Sequence, residues 1–187
     1  MLVSHQNEKT YNAILYFLEH TSMCNKKKLF KLLYFLDFEH YAETGRSVTG
    51  FEYEAWPMGP VPPELDRRIK AEDSSLLEFV EIEHESGKRD YKRISFIPKK
   101  KFDEKYFSRR QLRMLANIAD RFAMMTGTEM EEFTHREGMP WDRVYNLEAN
   151  KDGQIPFEYE LDKLSQIEKE VVLGMAEERK DFIQNYG

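Results

Sequence analysis

The sequence predicts an α+β fold that is predominantly α-helical: a compact helical globule around one buried central helix, with a small antiparallel β-sheet. Three observations predict it. Residues 26–44 place Leu29, Phe30, Leu32, Leu33, Tyr34, Phe35, Leu36, Phe38 and Tyr41 on nearly the whole circumference of a helix. A helix that is apolar nearly all round has to be covered nearly all round, so the other elements pack on it. Further stretches repeat apolar residues at helical spacing, and only short runs alternate as strands do.

In chain order, a first helix is expected over 7–20, with Tyr11, Ile14, Leu15 and Leu18 on its apolar face. Asn25 is placed to cap the central helix, and Gly45 follows it where a left-handed residue ends a helix. Lys26, Lys27 and Lys28 fall at the positive end of that helix, an unfavourable place for cations, where either water solvates them or the fold uses them. Residues 48–56 alternate: Phe51, Tyr53 and Ala55 face one way, Glu52 and Glu54 the other. Four prolines and Gly59 then stiffen 57–63 into a rigid loop, and Pro63 opens a short helix to Ala71 with Leu65 and Ile69 inward.

Two strands, 77–84 and 91–97, flank Ser86-Gly87-Lys88 as a hairpin with one wet face. Pro98 stops the second strand. Ser108 with Gln111 forms a capping box, opening a helix to Thr126 that buries Leu112, Leu115, Ile118, Ala119 and Phe122 and stops at Gly127. Thr128 with Glu131 forms a second box, for a helix to about His135. Residues 138–141 turn the chain, and 151–154 form a polar loop. Ser165 with Glu168 opens a final helix whose buried positions are expected to be Ile167, Val171, Met175 and Phe182.

A chain of 187 residues is expected to form one domain, 1–187, with a core large enough to need no staple. One cysteine, Cys24, fits a reducing compartment. No apolar run reaches the roughly 18 residues of a membrane span, and the first residues carry no leader pattern, so a cytoplasmic protein is expected. Net charge is −6, which disfavours a general nucleic-acid binder. The charge is unevenly spread: residues 99–113 hold seven cations against two carboxylates, a local +5 that leaves −11 elsewhere. Phe102, Tyr106 and Phe107 lie within this segment, so a nucleic-acid platform and a solvated or protein-facing patch are both open, with the aromatics leading into the core in the second case. Distinct electrostatic faces suit protein recognition.

The search for chemistry returns little. Five histidines form no His-Glu-x-x-His pair, and a single cysteine builds no cysteine-rich zinc site. There is no Gly-x-Ser-x-Gly elbow, no phosphate-binding loop and no Gly-x-Gly-x-x-Gly. A lone cysteine behaves as a small apolar residue more often than as a nucleophile. A hydrolase or transferase site assembled from His40, His135 and carboxylates is the enzymatic alternative.

Two ordered blocks carry a resemblance. The first runs from Lys31-Leu32-Leu33-Tyr34-Phe35-Leu36 through Thr44-Gly45-Arg46 and Phe51 to Ala55-Trp56 and Gly59-Pro60-Val61-Pro62. The second is Glu132-Phe133-Thr134-His135 followed by Pro140-Trp141. Together, over 26–145, they resemble the Panacea domain, also described as the SocA-like antitoxin domain or the phage-associated GepA-like proteins. The resemblance implies a non-enzymatic bacterial or phage antitoxin of a type II toxin–antitoxin system that needs no cofactor or metal. Its partner would be a cognate protein toxin encoded nearby, in a homo-oligomer or a toxin–antitoxin hetero-oligomer. The alternative is a nucleic-acid-binding regulator using 99–113. The residues singled out for toxin binding are Tyr53, Trp56, Pro57, Met58, Gly59, Pro60, Val61, His135 and Trp141. A rigid loop loses little entropy on binding, and large aromatic and apolar side chains anchor interfaces. The competing reading makes both tryptophans core residues and gives His135 a backbone hydrogen bond.

Overall fold

The computed structural model describes residues 6–86 and 92–186. In order they form α1 (Gln6–His20), α2 (Lys26–Thr44), β1 (Glu54–Trp56), β2 (Gly59–Val61), α3 (Pro63–Lys70), α4 (Ser74–Leu77), β3 (Val80–Ser86) and β4 (Lys92–Pro98). A 3-10 turn (Glu104–Tyr106), α5 (Arg109–Phe122), α6 (Gly127–Thr134) and α7 (Pro140–Asp142) follow. A π-helical segment (Arg143–Leu147), a 3-10 segment (Phe157–Lys163) and α8 (Gln166–Tyr186) complete the chain. The fold is α+β and predominantly helical, and its β component is two separate antiparallel hairpins, β1–β2 and β3–β4. Among the described residues no helix is long and apolar enough to cross a membrane.

The central helix forms as its sequence requires. Asn25 accepts a hydrogen bond from the Lys28 amide at 3.0 Å, and α2 is buried from Lys28 to Tyr41 except at Glu39. α1, α5, α6, α8 and the β1–β2 hairpin pack around it. Gly45 ends it with φ of 66°. A Cβ at Gly45 would lie 2.7 Å from the Ala176 amide nitrogen, so the glycine also lets the α8 backbone come close.

The three lysines at the helix start are used by the fold rather than left to water. Lys26 pairs with Asp66 at 2.5 Å and Lys27 with Glu131 at 2.6 Å. The Lys28 ammonium donates to the Ser22 and Ala123 carbonyls at 2.7 and 3.0 Å. Each cation therefore ties another segment to the core helix.

Several boundaries differ from the sequence expectation. Within 48–56 only Glu54–Trp56 forms a ladder, although the alternation holds: Phe51, Tyr53 and Ala55 are buried and Glu52 is exposed. The expected loop 57–63 contains β2, with Ala55 opposite Pro60. Pro60 can sit in this two-stranded ladder because a proline lacks only the donor. The hairpin β3–β4 forms, but starts at Val80, because Asp73 accepts from the Ser75 and Leu76 amides and winds 74–77 into α4. Its turn lies outside the described residues.

The Ser108–Gln111 box opens α5, which ends at Phe122 rather than Thr126. The next box is Thr126 with Glu129, so Gly127 begins α6 instead of stopping the helix before it. The Ser165–Glu168 box also forms. Beyond it, Ile167, Val171, Met175 and Phe182 lie exposed, Ile167 at 76%. The buried positions of α8 are Val172 and Ala176, which cluster with Tyr41 and Leu161. Periodicity finds an apolar stripe but cannot choose between two; here close approach over Gly45 selects the one with the small Ala176.

Candidate functional site

The two sequence blocks meet in space. Lys31, on the buried face of α2, donates from Nζ to the Pro60 carbonyl of β2 at 3.0 Å. The backbone of Gly59 (φ 95°) lies against the same lysine. A Cβ there would be 2.7 Å from Lys31 Cε and 2.9 Å from Thr134 Oγ1 of α6. Trp141 Nε1, from the short α7, donates to the Trp56 carbonyl at 2.9 Å. His135 stacks on Trp141 at 3.7 Å between centroids, and Trp141 stacks on Tyr145 at 4.5 Å. Lys31, the β1–β2 hairpin, Thr134, His135 and Trp141 thus form one braced unit. On the other side, the main chain of 152–155 bonds to β1 and Tyr53: Ala55 donates to the Gly153 carbonyl at 2.8 Å, and Ile155 donates to that of Tyr53 at 2.7 Å.

A second bracket holds the approach to the hairpin. Asp37 is fully buried on α2 and accepts from the Val48 amide (2.7 Å), the Thr49 amide (2.8 Å), the Thr49 hydroxyl and the Tyr53 hydroxyl (2.7 Å). Burial pushes its carboxyl up to about 6 against these bonds, which pull it down.

The nine residues singled out from sequence divide by exposure. Met58 (48% exposed) and Pro57 lie at the hairpin tip, and Trp56 and His135 are half-buried. Tyr53, Gly59, Pro60, Val61 and Trp141 are buried and shape the tip from behind. The Trp56 indole donates to Glu54 at 2.7 Å and lies under the Lys70 ammonium.

Sequence reasoning missed what Lys31 and Asp37 do. Their signal was available: both are charged residues inside a helix otherwise apolar all round, where a charge needs partners. Burial drives the Lys31 ammonium down to about 7.

The other candidates are placed as follows. His40 is buried, with Nδ1 2.7 Å from the Arg46 carbonyl and its other nitrogen 3.4 Å from Gln111, whereas His135 stacks on Trp141 and its Nε2 has no hydrogen-bond partner among the described residues. Burial lowers the proton affinity of both imidazoles. Burial also pushes the Cys24 thiol up to about 11, the opposite of activation. Among the described residues no group of three or more His, Cys, Asp or Glu side chains is arranged to hold a metal. In the basic segment, Phe102, Tyr106 and Phe107 pack against the core, as the non-nucleic-acid reading requires. Lys100, Lys105 and Arg110 pair with Glu78, Asp103 and Glu43.

A buried helix that holds a short, proline-stiffened hairpin through Lys31, with Trp141 of α7 as a second clamp, defines a helical domain whose motif residues are chiefly braces. The chain belongs to the SocA-like antitoxins with a Panacea domain, whose family model matches residues 29–142 and so includes Lys31, the hairpin, His135 and Trp141. No curated protein and no solved structure matches the chain.

Proposed function

We propose that the protein is the antitoxin of a type II toxin–antitoxin pair, a cytoplasmic, non-enzymatic protein that neutralises a toxin encoded beside it by direct binding. The observation that carries this reading is family membership over 29–142, with both motif blocks inside the match. The hairpin tip, Trp56, Pro57 and Met58, with His135 at its side, is one contact surface. It is presented in a fixed shape by Lys31 and Trp141, so little conformational entropy is lost on binding.

The second contact surface is the open face of α8. Ile167, Val171, Met175 and Phe182 share it, and the same helix carries Glu168, Glu170, Glu177, Glu178 and Asp181 against Lys169, Arg179 and Lys180. An apolar stripe on a helix with a small net negative charge suits a toxin face that is apolar with a basic rim.

The test is genetic and biochemical. Expression of the adjacent gene product should arrest growth, co-expression of this protein should restore it, and the two should co-purify. Growth arrest that this protein does not relieve, or the absence of any complex, rejects the reading.

A further inference from the structure

A cavity of about 190 Å³ lies between the start of α2, the β1–β2 hairpin and β4. Phe30, Trp56, Met58, Val61 and Ile94 give it apolar walls, and Lys26, Lys27, Lys31 and Arg93 line it against one carboxylate, Asp66. Lys26 is matched by Asp66 and Lys27 by Glu131. Lys31 differs. Its side chain is 1% exposed, its hydrogen bond goes to the neutral Pro60 carbonyl, and among the described residues no carboxylate pairs with it. An ammonium has three donors, and burying it without a counter-charge is costly. The positive end of the 19-residue α2 adds to the same potential. Burial lowers the proton affinity of Lys31, and the more distant charge of Glu131, already paired with Lys27, only partly offsets it.

Size limits the occupant. The cavity slightly exceeds the roughly 150 Å³ that accepts a benzene molecule. It falls below the roughly 300 Å³ at which sites for larger ligands begin. One ring or branched chain fits; a nucleotide does not.

We propose that this cavity binds an organic carboxylate with a phenyl-sized apolar body, the carboxylate supplying the counter-charge to Lys31 and the body lying among Phe30, Trp56 and Met58. Two sources share this chemistry: a free small acid, and the terminal carboxylate of a polypeptide ending in a large apolar residue. The cavity shares Trp56 and Met58 with the hairpin tip assigned above to the toxin contact, but the inference does not rest on that reading and its test contains no toxin.

The Trp56 indole N–H signal, assigned through Trp56→Phe, is followed by NMR during titration with phenylacetate and with acetyl-Gly-Gly-Phe as the free acid. Phenylacetamide and the peptide amide serve as neutral controls. A saturable shift is expected below about 10 mM with at least one acid, and binding at least about tenfold weaker for the matching amide. Tighter binding of phenylacetate identifies the free acid as the source, and tighter binding of the peptide identifies a chain terminus. Lys31→Met should weaken binding by about tenfold or more. Should that variant not fold, Met58→Glu decides, because it places a competing carboxylate on an exposed residue at the mouth and should weaken binding to a similar extent. No saturable shift with either acid, equal binding of acid and amide, or undiminished binding in Met58→Glu overturns the proposal.

Discussion

At the scale of single residues, two of the three buried charges on α2, Asp37 and Lys31, organise the hairpin and its approach. Asp37 gathers four hydrogen bonds from the segment leading to the hairpin. Replacing it with alanine strands two amides and two hydroxyls in the core. Each unsatisfied buried group costs about 1–3 kcal/mol, so Asp37→Ala should lose more than about 3 kcal/mol, read as a large drop in the urea midpoint. Lys31 makes a pH-dependent prediction. Its proton affinity falls from the ordinary 10.5 to about 7 in the folded protein. Between those values the unfolded chain binds the extra proton, so the contribution of this lysine to stability rises with pH from about 7 towards 10.5 and is a constant penalty below 7. The stability difference between wild type and Lys31→Met should therefore move in favour of wild type between about pH 7 and pH 9. Urea titrations of both proteins across that range check it; a flat or falling difference contradicts it.

At the scale of elements, much was legible because the signals are local. The central helix has the bounds the sequence predicts, since an asparagine cap, an all-round apolar stretch and a terminal glycine are each read within a turn of their neighbours. Asn25→Ala should cost about 1 kcal/mol of stability, measured by denaturant unfolding. The hairpin β1–β2 was hidden because prolines read as loop; its ladder exists because α2 and Trp141 hold it in place. The Thr126–Glu129 cap was hidden because a second threonine–glutamate pair begins two residues later, and spacing alone does not rank them. Gly45 links two elements. In Gly45→Ala a Cβ meets the α8 backbone in a left-handed conformation, so amides of 166–186 should exchange with solvent faster while those of α1 and α2 stay protected. Equal protection of α8 in both proteins rejects that role for the glycine.

At the scale of the whole molecule, charge and apolar surface are segregated. The exposed cations of 99–113 occupy one segment, while α8 combines five carboxylates and three cations with an open apolar stripe. Such a stripe contributes little to folding and much to association. The double substitution Val171→Glu with Met175→Glu should change stability by no more than about 1 kcal/mol, as surface changes do. If α8 is the contact surface proposed above, the same change should weaken binding of the proposed toxin by at least about tenfold, as loss of apolar interface anchors does. Calorimetry of the variant alone and with the toxin separates the two effects. A strongly destabilised variant places the stripe in the core after all, and full-strength binding excludes α8 from the interface.

The sequence by itself determined the predominantly helical class, the central helix with both its ends, three capping boxes in kind and two of them in place, and the family resemblance. These rest on hydrogen bonds and periodicities that span a few residues. Only the tertiary structure decided which stripe of α8 is covered, that Trp141 bonds the carbonyl of Trp56, and that Lys31 stands in the wall of a cavity with no ion-paired carboxylate among the described residues. Those facts join residues from 29 to 131 positions apart, such as Pro60 to Lys31 and Gly45 to Ala176, and no local pattern records which distant surface will come to rest against a given face.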